Sequence, residues 1–172
     1  AVLAAFGLAG RALTPLSGGT DRAWRAGDFE AALRLSDRLL AMRETSELRF
    51  EDRAMGGALA RLMPTLALDV PDHPLAFAAA FAIASAQCGI DERDALAGYA
   101  WTWIDLQVAA AVKLVPLGHS SGQRLIWDFG SELDGIVERA LAVDDGDIGM
   151  SLPGFAITSA LHETQYTRLF RS

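Results

Sequence analysis

The sequence predicts an all-α, single-domain bundle of about seven to nine helices. Three observations carry that expectation. Ala and Leu dominate a chain that is 51% apolar and only 8% aromatic, with few β-branched runs, a mixture that suits helix over sheet. Apolar side chains recur at three- and four-residue steps through most of the length. The interruptions fall at residues that start or stop helices, among them Gly27, Asp28, Gly89 and Asp91. With 172 residues the chain is long enough for one domain with a real core. It shows no internal repeat, low-complexity tract or second domain.

Taken in order, residues 1–13 read as a short apolar helix ending near Thr14-Pro15, with Ser17-Gly18-Gly19-Thr20 as a loop. A helix over Asp21–Ala26 stops at Gly27. Asp28 caps the next, whose inward face is Phe29, Ala32, Leu33, Ser36, Leu39 and Leu40 and whose outer face pairs Glu30 with Arg34. A helix after Thr45 turns Leu48, Met55, Leu59, Leu62 and Leu66 inward. Gly56-Gly57 inside it costs roughly 1 kcal/mol per glycine relative to Ala, so a close helix contact or a kink is expected there. Asp69–Pro74 is a loop. The uncharged run Pro74–Ile90 falls short of a confident membrane span and reads as a buried core helix over 75–88 stopped by Gly89.

A helix from Asp91 leads into residues 99–127, around which the chain is organised. Tyr99, Trp103, Leu106 or Gln107, Ala110 and Leu114 mark its stripe, and the small residues Val108–Val112 give it a slim waist that a neighbour can approach. Pro116 disfavours helix at Val115, and Gly118 offers a left-handed stop. Ser120 and Gln123 have capping-box spacing for the next helix. Leu125, Phe129, Leu133, Ile136, Val137 and Ala140 continue the core. Residues 143–154 break all periodicity, Phe155–Glu163 form a last short helix, and 164–172 are a tail, which divides the chain into a domain over 1–163 and a docking tail over 164–172.

A net charge of −7 argues against nucleic-acid binding, which needs a basic field. The lone Cys88 cannot form an internal disulfide, so a reducing, cytoplasmic setting is expected. No basic leader is visible, and the missing initiator Met suggests a start inside a longer gene product.

Little of the sequence has the spacing that catalysis or metal binding requires. His162-Glu163 is half of a zinc-protease motif, but Tyr166 stands where the second His belongs. Asp144, Asp145 and Asp147 lack the register of a calcium loop, and a solvated acidic turn is the simpler reading. His73 and His119 are isolated, Gly118–Gly122 lacks a phosphate-loop ending, and Ser120/Ser121 have no nucleophile elbow. Lys113, almost alone as a charge near the corner, could serve as a base if buried, but a snorkelling helix-end Lys that suits the negative C-terminus is the preferred reading of the residues alone. In the tail, Tyr166, Leu169 and Phe170 alternate with Arg168 and Arg171, side chains of the kind that dominate interface hot spots.

LQVAAAVKLVPLGHSSGQRL (106–125) and HETQYTRLFRS (162–172) resemble the signatures of the urease accessory protein F family, UreF. DDGDIGMSLPGFAITSA (144–160) and RETSELRFEDRAMGGAL (43–59) resemble the same family in the same order. The resemblance implies an all-helical, non-enzymatic, homodimeric scaffold for nickel insertion into urease. Such a scaffold binds accessory protein D or H (UreD/UreH), recruits the GTPase accessory protein G (UreG) and presents it to apo-urease. An effect on that GTPase, through the lysine that Lys113 matches, is part of the implication. Nickel is handled by the complex, so no cofactor, metal ligand or catalytic residue is expected in this chain. Partner contacts are expected at Lys113, Gln123, Glu163, Gln165, Tyr166, Arg168, Leu169, Phe170 and Arg171. The glycine-rich opening usual in the family is absent, and His119 and Leu161 stand where Gln and Arg are expected. The rival reading is a small helical enzyme using Lys113, or His162 with Glu163, as acid and base; a stand-alone metal carrier comes third.

Overall fold

The computed structural model describes residues 18–115, 117–143 and 153–165, and no strand occurs among them. The expected helix over 1–13, the acidic turn with Asp144, Asp145 and Asp147, Pro116 and the tail residues 166–172 lie outside the described residues. Eight helical segments are seen among the described residues: α1 (18–25), α2 (Phe29–Ala41), α3 (Ser46–Leu62), α4 (Phe77–Gln87), α5 (Glu92–Leu114), α6 (His119–Gly130), α7 (Leu133–Leu141) and α8 (Pro153–Glu163). A short 3₁₀ turn, Met63–Leu66, extends α3.

The uncharged run becomes α4, the centre of the fold. Ala78, Ala79, Ala80, Ala82, Ile83 and Ser85 are all buried, so the helix is enclosed on nearly every side. Small side chains let neighbours approach, and the closest approach is at Gly56 of α3. A Cβ there would lie 2.1 Å from the carbonyl oxygen of Leu75. Gly57 meets only the Arg61 side chain, so one glycine of the pair sets the contact. The N-terminus of α4 has no side-chain cap of its own; Asp52 of α3 accepts from Phe77 N–H at 2.7 Å, and Ser36 of α2 accepts from Ala76 N–H at 2.9 Å.

Helix α5 is the spine. Its first half packs Tyr99 against Phe77 and Phe81, ring centroids 5.9 and 5.7 Å away, and burial pushes the tyrosine hydroxyl pKa upward. Leu96 meets Val137 and Ala140 of α7. The second half packs Ile104 and Val108 against Phe129 of α6, and Gly122 sits on Val108 and Val112, so the slim waist is where α6 comes close. Asp91 caps α5 through Asp94 N–H, and Gly27 and Gly89, with φ of 77° and 73°, end the helices before them. The Arg25 guanidinium grips the buried Asp21 at 2.7 and 3.0 Å and also donates to the Ile90 carbonyl, tying α1 to the α4–α5 turn.

Several expectations are corrected. Gly18, Gly19 and Thr20 are helical rather than looped, because α1 packs so closely that a Cβ at Gly18 would touch Glu92 and Leu96. Phe29 is exposed and stacks on Trp24 at 4.6 Å. Leu62 and Leu66 are 50% and 58% exposed, since Asp52, Gly56 and Met63 occupy the inward face of α3 and its extension. Leu106, Ala110 and Leu114 face outward, because α5 serves α4, α6 and α7 on different sides. Gly118 is not left-handed; at φ −59° it is the N-cap of α6. The Ser120/Gln123 capping box does not form, because the N-cap of α6 is Gly118, two residues before Ser120, and it has no side-chain cap bond. Val115 is extended, as a residue before proline should be.

Candidate functional site

The expected contact residues fall on two regions. Lys113 is exposed in the last turn of α5, where its charge suits the helix's negative end. Gln123 is exposed on α6. Val112 and Gly122, their chain neighbours, are in direct contact, so both residues flank the seam between these helices. Beside the corner lies a shallow cleft of about 360 Å³ lined by Leu117, Ser120, Ser121, Arg124 and Leu125. Arg124 is turned to Asp128 at 3.1 Å.

The second region is the attachment of α8 to the start of α3. Thr45 caps α3 locally, accepting from Leu48 N–H at 3.2 Å. Its hydroxyl also meets that of Ser159 at 2.8 Å. Glu163 reaches the same turn: one oxygen accepts from Ser46 Oγ at 2.5 Å and from Glu47 N–H at 3.1 Å. His162 Nδ1 pairs with Glu47 Oε2 at 2.7 Å. Ser159, His162 and Glu163 thus turn toward the body, while Ile157 and Leu161 are 60% and 62% exposed on the opposite side. Gln165, exposed, follows directly, and Tyr166, Arg168, Leu169, Phe170 and Arg171 lie outside the described residues.

Donation from the Ser46 hydroxyl, then from Glu47 N–H, holds the Glu163 carboxyl below its usual range. A depressed carboxyl stabilises the folded arrangement above its ordinary pKa and loses that contribution as pH falls through the lowered value. Docking of α8 is therefore expected to be intact at pH 7 and to weaken below about pH 4. Amide exchange followed residue by residue checks this. Protection of α8 unchanged to about pH 3, while α4 and α5 stay protected, would contradict it.

Sequence reading singled out His162 and Glu163 and placed a helix start at Thr45, but missed Ser46, Glu47, Ser159 and the link from Thr45 to Ser159, whose partners stand more than a hundred residues away. His73 joins Asp37 at 2.9 Å, and His119 is exposed at the start of α6. Among the described residues, no cluster of three His, Cys, Asp or Glu could hold a metal ion, and no helix is long and apolar enough to cross a membrane.

The sequence matches the UreF family model over residues 3–130. It is 43% identical over 163 residues to the urease accessory protein UreF of Chromohalobacter salexigens, covering 92% of this chain and 70% of that protein. It is 47% identical over 156 residues to that of Alcanivorax borkumensis, covering 84% and 68%. With that of Marinomonas sp. it shares 45% over 146 residues, covering 83% and 64%. The chain spans about two thirds of the length of these relatives.

Proposed function

The chain belongs to the UreF family, and we propose that it is a non-enzymatic, cytoplasmic scaffold of urease maturation. In this reading it acts as a homodimer that binds UreD/UreH, recruits UreG, modulates its GTP turnover, and presents it to apo-urease. Nickel passes as cargo between partners. The observation that carries the scaffold over its enzymatic rival is the engagement of the rival's acid and base. His162 is held by Glu47, and Glu163 by Ser46 and the Glu47 amide, so both serve to join two helices. Lys113 and Gln123, in contrast, are exposed on either side of one helix seam, as a protein-facing surface requires.

The test is affinity purification of the tagged chain from cells expressing the urease operon. Co-purification of UreD/UreH and UreG supports the reading; a folded chain that captures neither contradicts it. Lys113 allows a finer test. Exposed substitutions usually change stability by no more than about 0.5 kcal/mol, so Lys113→Ala should melt like the parent. It should still reduce UreG recruitment or alter GTP turnover in the assembled complex. A folded variant with both unchanged would remove Lys113 from the contact surface.

A further inference from the structure

We propose that Glu163 works inward, as the positioning residue that clasps α8 to the first turn of α3 and thereby sets where the chain beyond Gln165 leaves the body. The proposal deepens the scaffold reading and rests on it for the role of the tail.

The contacts that Ser159, His162 and Glu163 make with α3 are polar, on a helix at the protein surface. Here Ser159, His162 and Glu163 face α3, while Ile157 and Leu161 face away. The specific bonds that join the two helices are polar: hydroxyl to hydroxyl at Thr45–Ser159, imidazole to carboxylate at His162–Glu47, and carboxylate to hydroxyl and amide at Glu163.

The amides of a helix's first turn have no partner within the helix. Thr45 satisfies that of Leu48, and Glu163 satisfies that of Glu47, so α3 carries one cap from its own chain start and another from α8. A carboxylate at this position also meets the positive end of the helix dipole. Glu163 is the last residue of α8, with only Thr164 and Gln165 described after it. Fixing its carboxylate therefore fixes the end of the helix from which the tail departs. A tail that starts from a fixed point loses less freedom on docking than one tethered to a loose helix.

The test compares Glu163→Ala, Glu163→Gln, Ser46→Ala and the Glu163→Ala/Ser46→Ala double variant in the full chain. Amide exchange is read at Glu47 and along α8, and affinity is measured for UreD/UreH. Losing a cap should speed exchange of the Glu47 amide about fivefold in Glu163→Ala, with faster exchange along α8 as well. Glu163→Gln, which keeps an acceptor oxygen, should restore most of the protection. In partner affinity, Ser46→Ala should weaken binding although it lies on another helix, and the double variant should be no weaker than Glu163→Ala alone.

Unchanged exchange at Glu47 and α8 in Glu163→Ala would overturn the proposal. So would weakened partner binding by Glu163→Ala together with a silent Ser46→Ala, which would place Glu163 directly on the partner. If deletion of residues 164–172 leaves partner binding intact, the docking reading fails. The exchange result still decides whether Glu163 holds α8.

Discussion

Gly56→Ala is expected to lower the thermal midpoint by about 10 °C or to prevent folding outright. The added Cβ would stand 2.1 Å from the Leu75 carbonyl oxygen and 2.9 Å from the Ala76 carbonyl carbon. Both are backbone atoms, so no rotamer change can make room; α3 and α4 must separate. Overpacking of a core typically costs about 1–3 kcal/mol, and a clash against backbone belongs at or beyond the top of that range. Separation would also stretch the Asp52 to Phe77 bond a turn away. Gly57→Ala is the control: its Cβ would meet only the end of the Arg61 side chain at 3.4 Å. There the gain in helix propensity, about 1 kcal/mol, should dominate and leave the protein as stable or more so. Thermal melts of the two variants side by side settle the matter. Equal destabilisation would mean that the α3–α4 contact is not the tight one.

Asp52→Ala is expected to cost about 3 kcal/mol. The carboxylate is buried, with the Arg43 Nε at 2.7 Å on one oxygen and Phe77 N–H at 2.7 Å on the other. Removing it leaves an unpaired guanidinium, which is only 22% exposed, and an amide at the start of α4 without its acceptor. Partial rehydration of Arg43 keeps the loss near the lower end of what breaking a buried pair costs, about 3–5 kcal/mol. Asp52→Asn, which can still accept from Phe77, should recover part of the loss. A denaturant midpoint for Asp52→Ala equal to that of the parent would show that solvent replaces both bonds.

Asp52 also shows where sequence reading reaches its limit, whereas the close contact at Gly56 was expected from the Gly56-Gly57 pair. The signals that stay within a few residues were legible. Asp28, Thr45 and Asp91 cap the helices that follow them, each by a bond to the amide three residues on. Gly27 and Gly89 stop the helices before them, and the uncharged run is the core helix. On the inward face of α3, Asp52 was not legible, because hydrophobic periodicity counts apolar side chains and passes over a buried aspartate. The stripe of α5 was read as one line, but the helix packs against α4, α6 and α7 on different sides, which spreads its buried residues around the axis. The caps supplied by Asp52 and Glu163 come from 25 and 116 residues away, a pairing that spacing cannot reveal. The same limit hid the clasp: His162 and Glu163 stood out as a broken motif, while their partners looked like an ordinary helix start.

We propose that the chain is a docking scaffold whose tail, residues 164–172, carries its partner contact. Tagged chain with and without residues 164–172, expressed beside UreD/UreH, tests it most directly. Tyr166, Leu169 and Phe170 can supply burial, and Arg168 and Arg171 can pair with carboxylates on the partner. Ordering such a segment costs roughly 1–2 kcal/mol per residue, so binding must come from these few anchors. The account predicts that the truncated chain keeps its helix content and thermal midpoint and no longer co-purifies with UreD/UreH. A truncated chain that folds and still captures UreD/UreH at the level of the intact one would contradict it.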